Sequence, residues 1–177
     1  MKDTQGTWVI DPSHSTVGFV VRHLVSKVRG HFGSFSGQII GNPEDLSQAS
    51  ASLEVQITTV NTNQPDRDNH LRTSDFFDVE HYPTMTYTST RVERISDSEY
   101  TVYGNLTLRG VTNEVPVHVE FLGLGADPWG NARAGFEISG RINRKDFGVN
   151  WNQVLEAGGV MVGDNVDLHL ELETVKQ

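Results

Sequence analysis

Apolar and polar residues alternate one for one along several segments of this chain, and this pattern restricts them to strands with one dry and one wet face. In the clearest segment, Val166, Leu168, Leu170 and Leu172 alternate with acidic and polar residues. Successive side chains of a β-strand point to opposite faces, so a period of two places one set in an apolar interior and the other in water. The pattern predicts an all-β fold built from antiparallel strands around one interior.

The same alternation, complete or partial, recurs along the chain and predicts about eight or nine strands. The apolar members of the earlier segments are Trp8 and Ile10, then Val17, Phe19 and Val21, then Phe32 and Phe35, then Leu53, Val55 and Ile57, then Met85 and Tyr87, then Val102, Leu106 and Leu108, then Val115, Val117, Val119 and Phe121, and finally Phe136, Ile138 and Ile142. Parallel strands covered on both faces would give continuous apolar runs instead. A closed barrel or a sandwich follows, and the short turns between sequential strands favour an up-and-down barrel.

One segment departs from the strand pattern. Pro65 is followed by acidic residues and the segment runs to Arg72, which predicts a short helix with proline in its first turn. The helix carries almost no apolar residue except Leu71, but Phe76 and Phe77 follow and can anchor it on a barrel rim. We therefore expect a capping helix on one domain that spans residues 1–177.

Charge and composition exclude several classes of partner. The formal net charge of −9 is spread along the chain, which argues against nucleic acid and disfavours electrostatic docking on anionic membranes. No apolar run reaches the roughly 20 residues of a membrane helix. The first residues carry no apolar signal segment, so we expect a cytoplasmic protein.

The polar residues form no convincing catalytic or metal constellation. Seven histidines show no recognised ligand spacing. Asp11, Ser13 and His14 are the residue types of a hydrolytic triad, although a turn held by side-chain hydrogen bonds is the simpler interpretation. Asp66, Asp68 and His70 alternate like the start of a calcium loop, but the required glycine and distal glutamate are missing, so the acids are interpreted as a solvated helix start.

Glycines at inward-facing positions are compatible with a barrel interior that is filled and with one that holds a ligand. A barrel of about eight strands is either filled by side chains or holds one small ligand. Gly104 and Gly140 lie where a filled core needs bulk, so they either leave space for a ligand or mark strand bends.

A set of short motifs in a fixed order resembles the YceI-like family. The motifs are Trp8-Val9-Ile10-Asp11-Pro12-Ser13-His14-Ser15, Val17-Gly18-Phe19, Val28-Arg29-Gly30-His31-Phe32, Phe35-Ser36-Gly37, Arg67-Asp68-Asn69-His70-Leu71, Asp75-Phe76-Phe77-Asp78, Gly104-Asn105-Leu106-Thr107-Leu108-Arg109-Gly110, Arg144-Lys145-Asp146-Phe147-Gly148 and Asp164-Asn165-Val166. They cover nearly the whole chain.

The resemblance implies an antiparallel, lipocalin-like extended β-barrel whose apolar tunnel binds a polyisoprenoid chain or an isoprenoid quinone, with no cofactor, metal or catalytic residue. The predicted lining residues are Phe19, Val21, His23, Phe32, Phe35, Leu53, Val55, Phe76, Leu106, Val117, Phe136, Ile138 and Phe147. Arg22, His23, Arg144 and Lys145 are the predicted neighbours of a headgroup. Many relatives resemble exported proteins.

Two other functions stay open alongside a lipid carrier. An enzyme that acts on a lipid in the tunnel needs a titratable group beside the reactive atom, and His23 is the first candidate. A filled barrel acting through its surface needs no tunnel. We also expect that a homodimer can form, because such barrels expose strand edges or apolar rims.

Overall fold

Eight antiparallel strands close into a ring in the computed structural model, which describes residues 3–156 and 158–177. The strands are β1 (Gly6–Ile10), β2 (Thr16–His23), β3 (Ser26–Phe32), β4 (Phe35–Asn42), β5 (Asp45–Gln56), β6 (Val60–Asn61), β7 (Thr84–Arg94), β8 (Glu99–Leu108), β9 (Val111–Ala126), β10 (Ala132–Asn143) and β11 (Val162–Lys176). The ring runs β1-β4-β5-β7-β8-β9-β10-β11 and closes where β11 pairs with β1. The predicted antiparallel barrel is confirmed, and the sandwich is wrong.

A hairpin outside the ring extends the barrel at one end. The last residues of β11 pair with β1, while its first two thirds pair with β2, which continues through β3 to the short β6. A turn of 3-10 helix, Pro12–His14, separates β1 from β2. The alternation predicted about eight or nine strands because it merged β3 with β4 and missed the two-residue β6.

The two ends of the ring differ. The turns between β4 and β5, β7 and β8, and β9 and β10 lie at one end, the floor. The β2–β3 tip, the β8–β9 turn, helix α1 (Pro65–Arg72) and the connection from β10 to β11 lie at the other end, the mouth. At the floor, Trp8 and Tyr100 are completely buried and extend the core across the barrel.

Helix α1 forms over the residues that the sequence predicts. Pro65 occupies the first turn, where its missing N–H costs nothing, and the side chain of Gln64 accepts hydrogen bonds from the backbone of Asp66 and Arg67. Its Leu71 packs against the core together with Phe77. The helix therefore covers the mouth as a cap.

Candidate functional site

The barrel encloses a cavity of about 590 Å³ that reaches from the interior to the mouth. Its wall consists mainly of inward-facing aliphatic and aromatic side chains, which include Phe19, Val21, Leu53, Leu106, Val117, Phe136, Ile138 and Leu168. Gln38, Ser50, Ser52 and Ser89 also border it along β4, β5 and β7. This volume lies within the range of small-molecule sites, so the barrel is not filled by its own side chains.

Ten of the thirteen residues predicted to line the tunnel border this cavity. They are Phe19, Val21, His23, Phe32, Leu53, Phe76, Leu106, Val117, Phe136 and Ile138. Phe35, Val55 and Phe147 do not border it and are buried in the packed core. Phe35 and Val55 face each other across β4 and β5. For these two, alternation identifies the inward face of a strand but not the depth at which packing ends and the cavity begins, whereas Phe147 lies in a 3-10 turn after β10, where strand alternation does not apply.

The charged side chains of the cavity border lie at the mouth, together with two histidines and Gln64. These residues are Arg22, His23, Gln64, Asp66, Arg67, His70 and Arg144. Lys145, also predicted near a headgroup, lies at the surface instead, with its ammonium nitrogen 3.2 Å from an oxygen of Asp164. Three guanidinium groups and one carboxylate give the cavity border a positive formal charge in a protein whose net charge is −9.

Arg144 ties the segment that crosses the mouth to the barrel. This segment, the strap, comprises residues 148–156 and 158–161. Nε of Arg144 donates to the carbonyl of Gly163, and Nη1 donates to the carbonyls of Val149 and Trp151, each at 2.8 Å. The side chain is only 4% exposed, and this burial lowers the pKa of its guanidinium while Asp164 opposes the change. Arg144 therefore acts as a structural hub, with most of its donors already used.

Arg67 and Asp68 anchor helix α1 to Thr62, which precedes it in the chain. Asp68 is buried and accepts hydrogen bonds from the backbone N–H and the hydroxyl of Thr62. Arg67 donates from Nε to the Thr62 hydroxyl and from Nη2 to the Thr62 carbonyl, both at 2.7 Å. The interpretation of Asp68 as a solvated helix start is wrong, because its carboxylate holds the chain that enters the helix; Asp66 is exposed as expected.

An aromatic cluster joins the helix cap to the strap. The His70 ring makes edge contacts with the rings of Phe76 and Trp151, at centroid distances of 5.0 and 4.8 Å, and its Nε2 lies 2.8 Å from a carboxylate oxygen of Asp75. Trp151 was not predicted, since it lies in a segment without alternation. A large aromatic residue in an irregular segment was its sole signal.

The inward-facing glycines accommodate neighbouring side chains. A Cβ atom on Gly104 would lie 2.4 Å from the ring of Tyr87, whose hydroxyl donates to the carbonyl of Val115 at 2.8 Å. Burial, with Glu114 nearby, raises the pKa of the Tyr87 phenol. A Cβ on Gly140 would meet Val117 at 3.0 Å. The space beside Gly104 thus belongs to Tyr87, which itself borders the cavity.

The triad-like residues at the β1–β2 break do not form a catalytic relay. Both the Ser13 hydroxyl and an Asp11 carboxylate oxygen lie close to the same histidine nitrogen, Nδ1 of His14, at 3.1 and 2.8 Å. A relay needs the serine and the carboxylate on opposite ring nitrogens. Asp11 instead caps the turn by accepting from Ser13, as expected for a structural role.

The ligand atoms of Asp11, His14 and Glu173 lie within 4.8 Å of one another, a spacing that would suit a metal ion. The guanidinium of Arg133 already supplies positive charge there, because its Nη1 is 2.9 Å from Asp11 and 3.1 Å from Glu173. Hydrogen bonds from Ser13, then from Arg133 and His14, hold the pKa of Asp11 well below its usual range. The donor set is thus an ion-pair network outside the cavity.

A closed antiparallel barrel with an apolar cavity and a capped mouth defines a lipocalin-like binding protein. Comparison with known proteins names the family: the YceI-like domain matches residues 8–174, and the chain belongs to this family. Within the described residues, no helix is long and apolar enough to cross a bilayer.

One relative and two solved structures illustrate the similarity. The UPF0312 protein SERP2314 of Staphylococcus epidermidis is 40% identical over 165 residues, which cover 92% of this chain and 94% of that protein. The crystal structure of BcnA from Burkholderia cenocepacia superposes with a TM-score of 0.82 at 24% identity, covering 93% of this chain and 98% of that one. A polyisoprenoid binding domain from Saccharophagus degradans gives a TM-score of 0.74 at 18% identity, covering 96% and 98%. At these identities, the two solved structures support the fold.

Proposed function

We propose that this protein binds and carries a long apolar isoprenoid lipid, a polyprenyl chain or an isoprenoid quinone, with its tail in the barrel cavity. The observation that carries the proposal is the cavity of about 590 Å³, whose wall is mainly apolar and whose charged groups gather at one end. The polyisoprenoid binding domain with the same fold supports this choice of ligand.

The energetics favour a tail rather than a polar metabolite. Each buried CH₂ contributes about 0.8 kcal/mol, so a tail of several isoprene units gains enough to bind without directed polar contacts. A polar ligand in the same place would leave its hydrogen-bonding groups unsatisfied against Phe136, Ile138 and Leu168. The wall therefore selects for length and apolarity, while the mouth is the place where headgroups are discriminated.

Binding without turnover is the role that the mouth residues support. Arg144 is occupied by carbonyls, Arg67 by Thr62, and the His70 ring by its contact with Asp75. These contacts position the cap and the strap instead of a reacting group. If His23 served as a catalytic base, His23→Ala would abolish the turnover of a bound lipid and leave its binding intact.

The test is organic extraction of purified protein followed by mass spectrometry, before and after incubation with polyprenyl phosphates and quinones. Two substitutions on β9 provide a matched pair: Val117→Trp adds an indole inside the cavity, while Leu122→Trp adds it on the exposed outer face. We expect stoichiometric lipid in the wild type and Leu122→Trp, and little in Val117→Trp at an unchanged fold by circular dichroism. Absence of lipid from the wild type under all loading conditions would contradict the proposal.

A further inference from the structure

The tip of the β2–β3 hairpin exposes two apolar residues in an unfavourable turn. His23 pairs with Ser26, so Leu24 and Val25 form a two-residue loop. Leu24 has a φ of +53°, a conformation for which hairpin loops favour glycine or asparagine. Its side chain is 43% exposed, and that of Val25 is fully exposed. Glycine and asparagine would suit this turn better than Leu24 and Val25, and residues that depart from local turn preferences are expected at functional sites.

The hairpin tip and the strap form one continuous surface beside the mouth. The backbone N–H of Leu24 donates to the carbonyl of Met161 at 2.8 Å, and Val154 bridges to Val160 within the strap. Val154 and Val160 are exposed as well. Together, Leu24, Val25, Val154 and Val160 constitute what we call the apolar rim.

Basic residues flank the apolar rim. Between Asp11 and Glu44 the sequence contains no acidic residue, although acids make up 23 of the 177 residues, and this interval carries Arg22, Lys27 and Arg29. All three basic side chains are exposed on the hairpin. The local charge of the hairpin is therefore opposite in sign to the net charge of −9.

The acids on β11 beside the hairpin are paired with basic residues from outside the hairpin. On β11, Asp164 is engaged by Lys145 and Asp167 by Arg141, at 3.2 and 2.7 Å, although Asp167 also lies within electrostatic range of Lys27. In the described part of the strap, Glu156 is the acidic residue. The net charge of −9 averages over the whole chain, whereas docking through this end of the barrel would depend on the local charge of the hairpin.

We infer that the apolar rim docks the mouth onto the surface of an anionic lipid bilayer. Apolar side chains that enter the headgroup region, flanked by lysine and arginine, are the features that bind such surfaces. Arg22, His23 and Met161 also border the cavity, so a docked bilayer faces the opening. A second copy of the chain fits less well, because self-association through the tips would bring like charges together. The inference goes beyond the proposed function, which requires only a cavity.

Flotation with vesicles tests the inference, using phosphatidylcholine alone and phosphatidylcholine mixed with phosphatidylglycerol. We expect binding to the anionic vesicles and a partition coefficient on the order of 100-fold lower for Arg22→Gln/Lys27→Gln/Arg29→Gln. Leu24→Gly/Val25→Asn should lower it at least about tenfold. This variant supplies residues that the loop favours, so a loss of binding cannot be ascribed to a damaged turn.

The matched control is Trp129→Ser, which removes an 81% exposed side chain from the floor end. Its vesicle binding should equal that of the wild type. Equal binding by all variants, or no binding to anionic vesicles, would overturn the inference. So would a dimer seen by light scattering that dissociates in Leu24→Gly/Val25→Asn, since the rim would then contact a second copy. If lipid is extracted from the protein but the protein does not bind vesicles, the proposed function is supported and this inference is refuted.

Discussion

Replacing Arg144 with methionine should release the strap and destabilise the fold. The change keeps much of the side-chain length but removes the donors of three hydrogen bonds of 2.8 Å. Hydrogen bonds to a charged group contribute about 1.5–3 kcal/mol each, and the dehydration of a buried guanidinium offsets part of that sum. With water able to reach the loosened mouth, we expect a net loss of about 3 kcal/mol in the free energy of unfolding.

Urea unfolding followed by circular dichroism measures that loss, and amide hydrogen exchange with mass spectrometry locates it. Exchange should accelerate in the strap, residues 148–156 and 158–161, and stay unchanged at the floor around Trp8. Lys145→Met is the matched control, because the Lys145 and Asp164 side chains of this pair are 47% and 43% exposed, and pairs that water reaches in this way contribute about 1 kcal/mol at most. Equal unfolding midpoints for the two variants, or unchanged exchange in the strap, would refute the role of Arg144.

Two further predictions concern the ion-pair network and the cavity wall. The pKa of Asp11 is lower in the folded state, so its contribution to stability is present above about pH 4 and is lost as the pH falls through the folded value. When the free energy of unfolding is measured against pH in acid, it should fall less steeply for Arg133→Met than for the wild type, and parallel curves would contradict this. Gly104→Ala should force the Tyr87 ring to move and lower the free energy of unfolding, measured with heat or urea, by about 1–3 kcal/mol. Gly125→Ala, with no atom within 4 Å of the new methyl, should change stability little, and equal effects would show that the Tyr87 ring moves aside at no cost.

Local sequence rules predicted the ring because most of its strands alternate over enough residues to define a dry face. They predicted α1 because Pro65 and the acids that follow are signals carried by the helix itself. The strap offered no such signal: its position depends on Arg144, whose acceptors are carbonyls of residues 5 to 19 positions further along the chain. A side chain that binds main-chain groups leaves no pattern in the sequence of its partners.

The identity of the lining residues was predictable only in part, for a related reason. Tyr87 and Gly104 lie on neighbouring strands, and the ring of one occupies the space left by the other. The pattern along a single strand identified both as inward-facing without showing that they are complementary. Likewise, Asp68 follows the pattern of an exposed helix start, and its burial depends on Thr62, which precedes the helix.

The two ends of the barrel are held by different kinds of interaction, and this difference bears on how a ligand enters. At the floor, β1 is paired on both sides, and the completely buried Trp8 and Tyr100 belong to the core. At the mouth, the cap and the strap are held by side-chain hydrogen bonds from Arg67 and Arg144 and by the contacts of the His70 ring. Segments held by few buried contacts open at lower free energy than paired strands. Opening should therefore begin at the mouth, on the side where the apolar rim would meet a bilayer, so that a lipid tail could pass into the cavity without unpairing the ring.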